Sequence, residues 1–168
     1  VPLRLSQSRK TVDRQGCNTM NISDIMTHKP VTVRLDHSLR DALETMERVG
    51  CHHLPVLSKE GHLIGIISDR DCRTALNSPH IMRERWQDEE LANNLPIRAM
   101  MTPAPIVVAP EAPAEEAARL MLSNQISCLP VMRDETLVGI ITRSDILAAF
   151  MTLLSPARQY HIAFETHA

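Results

Sequence analysis

One sequence pattern occurs twice in this chain, and this internal repeat limits the folds that the chain can adopt. Thr27 and Thr102 hold matching positions 75 residues apart, whereas Gly65 and Gly139 hold matching positions 74 residues apart. The second copy therefore lacks one residue, and the difference maps to 58–62, a turn-like stretch that tolerates deletion because few packed groups depend on its length. Two linked copies of one small unit usually form a pseudo-symmetric module, and ligands bind in the cleft between the copies.

The composition excludes several classes of protein. The chain has 168 residues, enough for one compact domain or two small halves that share a core. Its formal net charge is −2 and only 2% of its residues are aromatic, so it lacks the basic surface and the stacking side chains that nucleic acid binding requires. No apolar run reaches the roughly 18 residues needed to cross a bilayer. We therefore expect neither a nucleic acid nor a membrane as partner.

The four cysteines indicate the compartment. They stand at positions 17, 51, 72 and 128 and form neither a CxxC pair nor a dense framework. Disulfide-stapled secreted domains carry closer and more regular cysteines. Residues 1–19 are polar and contain no hydrophobic signal segment. A reducing, cytoplasmic setting is the expectation.

Each copy predicts the element order strand, helix, strand, strand, helix, which places the chain in the α/β class. In the first copy, Ser38 and Asp41 form the pattern of a helix capping box, and Gly50 is a typical helix stop. The run 63–67 is apolar on both faces, as expected of a strand buried from both sides. The predicted elements are strands at 31–33, 54–57 and 63–67 with helices at 38–50 and 68–75 in the first copy, and strands at 106–108, 129–132 and 137–141 with helices at 113–122 and 142–151 in the second.

The repeat also divides the chain into segments. Neither copy buries its sheet face well alone, so we expect the two copies to pack through their sheets about a pseudo-twofold axis. Trp86 is expected to cover the edge of the core, and 160–164 to add a strand or a dimer contact. The expected segments are a flexible leader at 1–19, a first repeat at 20–76, a connector at 77–96, a second repeat at 97–151 and a C-terminal tail at 152–168.

The motif Ser/Thr-x-x-Asp follows the last predicted strand of each copy, as Ser68 with Asp71 and as Thr142 with Asp145. The backbone N–H groups at a helix start favour an anion, a hydroxyl hydrogen-bonds it, and an aspartate one turn later accepts both hydroxyls of a ribose. The same pattern is also a helix capping box, which has a purely structural role. Its duplication inside a longer repeated pattern favours binding.

These motifs resemble a tandem pair of cystathionine-β-synthase-type (CBS) domains, known as a Bateman module. The resemblance covers about residues 20 to 150, and Asp69-Arg70-Asp71 together with the connector length is most similar to the CBS pair of acetoin-utilisation-type proteins. The motifs that carry the resemblance are Leu54-Pro55-Val56 and Leu129-Pro130-Val131, with Gly65-Ile66-Ile67-Ser68 through Asp71 and Gly139-Ile140-Ile141-Thr142 through Asp145.

The resemblance implies two sites for an adenosine nucleotide, AMP, ADP or ATP, related by the pseudo-twofold axis. Aspartates would hold ribose hydroxyls, polar neighbours would lie near ribose or phosphate, and residues before the middle strands would wall the adenine and read its edge. Arg70 matches Ser144, so we expect tighter phosphate binding at the Asp71 site. The residues implied to hold ribose hydroxyls are Asp71 and Asp145, and those implied near ribose or phosphate are Ser68, Arg70, Thr142 and Ser144. Cys51 and Ile126 would wall the adenine, and the backbone of His52 and Ser127 would read its edge.

The predicted function is therefore that of a non-catalytic regulatory module, expected to form a homodimer and to act on an unidentified regulated protein. A ligand-independent dimerisation module is the main alternative, supported by apolar helix faces rich in Met and Ala. A metal or redox site is a weaker alternative, in which His52 and His53 converge with Cys51 and Cys128 across the pseudo-twofold. It is disfavoured because the adjacent strand residues His52 and His53 point to opposite faces. Redox chemistry would need an exposed thiol of low pKa. An enzyme is the weakest, since no nucleophile and base pattern is evident.

Overall fold

The computed structural model describes residues 20–76 and 85–154, and at 85–88 it describes the backbone alone. Trp86 as a side chain, the leader at 1–19 and the segment 160–164 therefore lie outside the description. No helix in the described ranges is long and apolar enough to span a membrane. The elements in chain order are α1 Ile22–Ile25, β1 Thr27–His28, β2 Val33–Arg34, α2 Leu39–Val49, β3 His53–Leu57, β4 Leu63–Ser68, α3 Asp69–Leu76, α4 Arg85–Asn94, the 3₁₀ turn Ile97–Ala99, β5 Thr102–Pro103, α5 Ala114–Ser123, β6 Cys128–Arg133, β7 Thr136–Thr142 and α6 Arg143–Leu154.

Local signals set the ends of helix α2. Ser38 and Asp41 form the predicted capping box, in which each side chain accepts a hydrogen bond from the other's backbone N–H. Gly50 ends the helix in the left-handed conformation with φ of 71°, which glycine adopts without a steric penalty. The helix buries its apolar face, Leu39, Ala42 and Met46, against the first sheet.

The strands form two sheets built around antiparallel hairpins. One sheet has the order β2-β3-β4-β5, and the other has the order β1-β7-β6. The predicted strand at 31–33 is shorter and lies later, as β2. The predicted strand at 106–108 does not form, and Val108 makes only a single parallel bridge to Val131. Pro110, the next residue in position to donate to that parallel ladder, has no N–H, which explains why pairing stops there.

Each copy gives its first strand to the sheet of the other copy. Strand β1 pairs antiparallel with β7 through Thr27 opposite Ile140. Strand β5 pairs in the same way with β4 through Thr102 opposite Ile66. Neither two-residue strand is predicted from the sequence. This reciprocal exchange ties the two repeats together.

Each hydrophobic core also contains residues that lie next to the strand lent by the other copy. The core of the first repeat includes Ile97, which precedes β5, and that of the second includes Ile22, the first residue of α1, and Met26, which follows α1. Ile22 and Ile97 are both fully buried. Backbone bonds reinforce the arrangement, since the N–H of Ile22 donates to the carbonyl of Ala112 at 2.9 Å. The exchanged segments are therefore part of the packed interior.

Gly65 and Gly139 allow the exchanged segments to approach closely. A Cβ at Gly65 would lie 2.5 Å from Met101 Sδ and 3.0 Å from the carbonyl oxygen of Thr102. At Gly139, a Cβ would collide with the side chain of Met26. Both methionines stand directly before the exchanged strands. The repeated glycine thus leaves room for a methionine from the other copy.

Candidate ligand-binding site

The first strand-to-helix junction joins β4 to α3 and holds Ser68 and Asp71. Ser68 Oγ donates to Asp71 Oδ2 at 2.6 Å, and the backbone N–H of Ser68 donates to the same oxygen at 3.0 Å. The N–H of Asp71 donates back to Ser68 Oγ at 3.2 Å. Both side chains are partly buried. The first turn of α3 is therefore closed by its own side chains, and the carboxylate has a fixed position.

The second junction, between β7 and α6, has the same geometry. Thr142 Oγ1 donates to Asp145 Oδ2 at 2.8 Å, and the N–H of Thr142 donates to it at 2.7 Å. The N–H of Asp145 donates to Thr142 Oγ1 at 3.4 Å. The two junctions thus share one capping geometry.

The capping arrangement also occurs away from the predicted sites. Ser38 Oγ donates to Asp41 Oδ2 at 2.8 Å, and the N–H of Asp41 donates to Ser38 Oγ at 3.2 Å. This third box opens α2, outside the binding pattern. The cap alone therefore does not define a site, and what distinguishes the two junctions is their surroundings.

A contact between the repeats reaches the first junction. His53 stands opposite Ser68 in the register of β3 and β4. Its Nε2 lies 2.9 Å from Oγ of Ser127, which comes from the other repeat. The sequence pattern indicated Ser127 for its backbone, whereas the structure brings its side chain to the first junction. His53 was not among the predicted site residues, because nothing in the sequence shows which residue faces it across the repeats.

The two repeats differ at this contact. The repeat places Cys128 where the first copy has His53, and His52 where the second copy has Ser127. Cys128 is buried, and His52 is exposed with Nδ1 at 3.8 Å from Asp69 Oδ2. The bond between His53 and Ser127 therefore has no symmetric counterpart among these residues, which makes the two junctions unequal.

The backbone at the predicted adenine-reading positions is fixed in both copies. The carbonyl of His52 accepts from the N–H of Asp69 at 3.0 Å, and the carbonyl of Ser127 accepts from the N–H of Arg143 at 3.0 Å. Each bond holds the chain before a middle strand against the start of a helix. Cys51 and Ile126 are half-buried and pack against the cores of their own repeats.

The expectation that Arg70 alone distinguishes the charge of the two sites is incomplete. Arg70 is exposed, as is its counterpart Ser144. Arg143, however, stands where the first copy has Asp69, and its Nε donates to the carbonyl of Ile126 at 3.0 Å. Arg73, meanwhile, is paired with Asp69 at 2.8 Å. Each junction thus carries positive charge, on Arg70 in the first and on Arg143 in the second.

Burial shifts the pKa of one histidine and two cysteines near the junctions. Burial lowers the pKa of His53, and nearby His52 lowers it further, while Asp71 and Asp69 oppose the shift. Burial raises the pKa of the Cys51 thiol and that of Cys128, the latter with a contribution from Asp145. Both shifts favour the protonated thiol, whereas redox chemistry needs a thiol of low pKa. Within the described residues, no group of three or more His, Cys, Asp or Glu side chains is placed to hold a metal ion.

Residues of the described ranges line two concave regions on the surface. One, of about 420 Å³, is lined by Asp69, Arg70, Arg73 and Thr74, on the exposed side of α3 beside the first junction. The other, of about 480 Å³, lies at the turn ends of the hairpins, and none of the predicted site residues lines it. It takes side chains from both repeats, including Lys29, His62 and Glu135. Of the predicted site residues, Arg70 lines one of these two concavities.

Two α/β units that exchange their first strands, each with Ser/Thr-x-x-Asp at a strand-to-helix junction, define a tandem-repeat module. A family model described as the CBS domain matches residues 22–78 and 97–152. The chain belongs to the CBS domain family. The predicted fold class, two related α/β repeats, is confirmed.

Solved structures agree with this assignment. A Vibrio cholerae structure assigned to the acetoin utilization proteins (AcuB) is 34% identical, with a TM-score of 0.67 over 82% of this chain and 94% of that one. CBSX2 of Arabidopsis thaliana in complex with AMP is 30% identical, with a TM-score of 0.67 over 79% and 97%. The CBS domain pair of protein MJ0100, in complex with 5′-methylthioadenosine and S-adenosyl-L-methionine, is 26% identical, with a TM-score of 0.68 over 80% and 98%. The resemblance to acetoin-utilisation-type CBS pairs is therefore confirmed.

Proposed function

We propose that this chain is a non-catalytic regulatory module that binds an adenosine nucleotide, or a related adenosyl compound, between its two CBS repeats. The observation that carries the proposal is the duplicated junction, with Ser127 of the second repeat hydrogen-bonded beside the first junction. The complexes of CBSX2 with AMP and of the MJ0100 pair with adenosyl ligands support the ligand class.

The chemistry of each junction suits a ribose. A carboxylate offers about four lone-pair sites, and Ser68 engages only Oδ2 of Asp71. Oδ1 would accept hydrogen bonds from ribose hydroxyls. The positive end of the α3 dipole and the Arg70 guanidinium would attract phosphate. Asp145, Thr142 and Arg143 would serve in the same way at the second junction.

The two sites would differ in their response to a ligand. A ligand at the first junction would contact groups of both repeats, because His53 and Ser127 meet there. It would then favour one relative arrangement of the repeats, provided that it binds that arrangement more tightly than others. A regulated partner would bind one arrangement of the repeats more tightly than the other. We also propose that the module is a cytoplasmic homodimer.

Thermal unfolding with added nucleotide tests the proposal. With AMP, ADP, ATP, S-adenosylmethionine or methylthioadenosine at about 100 times its dissociation constant, the free energy of unfolding should rise by about 2.7 kcal/mol per occupied site. Asp71→Ala and Asp145→Ala should each remove the contribution of one site. At one common ligand concentration the two losses are expected to differ, because the sites have different dissociation constants, and equal losses would contradict the inequivalence of the sites.

The third capping box supplies a matched control. Asp41→Ala removes the same kind of carboxylate from the same kind of cap, at a similar cost of about 1 kcal/mol in stability. It should leave the stabilisation by nucleotide unchanged. If Asp41→Ala abolished that stabilisation as fully as Asp71→Ala, the effect would be one of fold stability and not of binding.

A ligand-independent dimerisation module is the second candidate, and the exposed apolar side chains of α6 favour it. Under this alternative, none of the adenosyl compounds would raise the melting temperature, while the protein would still self-associate. A ligand effect that vanished with a chelator would instead indicate a metal-dependent function.

A further inference from the structure

The cavity of about 480 Å³ at the turn ends of the hairpins lies away from both strand-to-helix junctions. The six residues of β4, Leu63 to Ser68, run from the cavity to the first junction, and they span about 17 Å at about 3.3 Å per residue. Strand β7 runs in the same way from Thr136, which lines the cavity, to Thr142 at the second junction. The volume of the cavity is within the range of small-molecule sites. The cavity is therefore separate from the proposed nucleotide sites and large enough for a ligand of its own.

Three segments of the chain line this cavity. The turn after β3 comes from the first repeat, the start of β7 comes from the second, and the chain between β1 and β2 crosses from one sheet to the other. A ligand in the cavity would therefore contact both repeats. The lining side chains include Leu57 and Glu60 from the turn after β3, Glu135 and Leu137 from the start of β7, and Lys29 and Thr32 from the crossing segment.

The lining carries charges of both signs beside an apolar wall. Lys29 is the one lysine or arginine among the described residues that line the cavity, and Glu60 and Glu135 give it one carboxylate from each repeat. Within the described ranges, none of these three side chains forms an ion pair. Leu57 and Leu137 are half-buried. The cavity thus has partners for a cation, an anion and a small apolar group.

The matching segment of the second repeat lacks this chemistry. The repeat relation places Ala104 where the first copy has Lys29, and Val107 where it has Thr32. Lys29 and Ala104 both adopt the left-handed backbone conformation, with φ of 48° and 46°. The sheet crossing is therefore made in the same way with or without a lysine, so the fold does not require the Lys29 side chain. Its place in the cavity lining points to a role in binding.

We propose that this cavity binds a free α-amino acid with an aliphatic side chain. Lys29 would hold its carboxylate, and Glu60 and Glu135 would accept hydrogen bonds from its ammonium group. The aliphatic side chain would pack on Leu57 and Leu137, which removes apolar surface from water. This binding is independent of the nucleotide function proposed above.

The charges of the cavity disfavour other classes of ligand. A phosphate group would meet the two carboxylates, and a diamine would place its second charge near Lys29, where like charges repel. A metal ion needs several ligating groups, and in the part of the chain that the structure describes no cluster of three His, Cys, Asp or Glu side chains is placed to hold one. An amino acid zwitterion carries one charge of each sign and matches the lining.

Isothermal titration calorimetry of the full chain with L-leucine, without nucleotide, tests the proposal. L-leucine should bind. Isopentylamine lacks the carboxylate and isocaproate lacks the ammonium group, so each should bind more weakly by about tenfold, the effect of losing one charge-assisted hydrogen bond. No binding of L-leucine, or binding of either analogue as tight as that of L-leucine, would overturn the proposal.

Matched variants locate the binding. Lys29→Ala and Glu135→Gln should each weaken the binding of L-leucine by about tenfold, and alanine suits the backbone at 29 because Ala104 adopts the same conformation. Lys59→Ala and Asp134→Asn remove charges from the two turns without changing a residue that lines the cavity, and they should bind L-leucine as the wild type does. Equal weakening in these controls would overturn the proposal.

A second readout separates this site from the nucleotide sites. All four variants should keep the wild-type rise in melting temperature with AMP, because none of the four positions lies at a junction. A wild type that binds L-leucine and is not stabilised by AMP would support this site and contradict the nucleotide function. The failure of one proposal is thus recognised separately from the failure of the other.

Discussion

His53 joins the two repeats at the level of single atoms, and its protonation state follows from where it lies. Its ring is withdrawn from water beside His52, so the neutral form is favoured in the folded protein. A neutral imidazole still donates or accepts at Nε2, and either role satisfies the bond to Ser127 at 2.9 Å. Burial thus favours the neutral form of His53, which can still make its hydrogen bond to Ser127.

Stability should therefore depend on pH through His53. Its pKa is lower in the folded than in the unfolded chain, where it is near the usual 6.5, so the unfolded state binds more protons between these two values. The contribution of His53 to the free energy of unfolding should be fully present above pH 6.5 and should be lost as the pH is lowered through and below 6.5. Urea unfolding between pH 5 and 8 measures this slope.

His53→Gln should reduce the slope, because glutamine retains hydrogen-bonding groups but does not titrate. His62→Gln, at an exposed turn position, is the matched control and should keep the wild-type slope. An unchanged slope in His53→Gln would show that other groups dominate the pH dependence.

At the scale of the elements, the two glycine and methionine contacts decide how well the exchanged strands dock. Gly65→Ala should lower the free energy of unfolding by about 1–3 kcal/mol, as is typical of overpacking. Gly139→Ala should cost less, since the three atoms nearest to its Cβ all belong to the flexible side chain of Met26, whereas at Gly65 the backbone oxygen of Thr102 is among the nearest. Chemical denaturation of both variants gives the two values.

The contact between Gly65 and Met101 also predicts non-additivity. In the double variant Gly65→Ala/Met101→Ala, the two losses should sum to more than the measured effect, because the alanine at 65 then fills space that the methionine has left. Strict additivity, or a larger cost at Gly139 than at Gly65, would contradict this account of the exchange.

The sequence predicted those elements whose signals are local. Helix α2 is an example, because its cap and its stop, Ser38 with Asp41 and Gly50, lie within a few residues of the helix itself. The hairpins were predicted from contiguous apolar runs in the same way. Strands β1 and β5 were missed because each has two residues and exists only by pairing with the other copy. The contact of His53 with Ser127 was missed for the same reason: the residue that faces His53 is 74 positions away.

The whole molecule should behave as one cooperative unit. The core of the first repeat includes Ile97, and its sheet includes β5, both from the second half of the chain. The core of the second repeat includes Ile22 and Met26, and its sheet includes β1, all from the first half. Separate chains 1–80 and 81–168 should each lack a cooperative thermal transition, and an equimolar mixture should recover one. Circular dichroism melting measures both, and a cooperative transition in either half alone would show that the exchanged segments are dispensable.

The reciprocal placement of Thr27–His28 and Thr102–Pro103 has a consequence for the origin of the chain. Through the pairing of β1 with β7 and of β5 with β4, the molecule has the topology of a domain-swapped dimer of a half-length protein, in which each subunit lends its first strand to the other. A gene duplication with fusion needs only a linker between such subunits to reach the present form. After fusion the two halves can differ in sequence, so that one has His53 where the other has Cys128. The two subunits of a homodimer cannot differ in this way, because both are encoded by one gene.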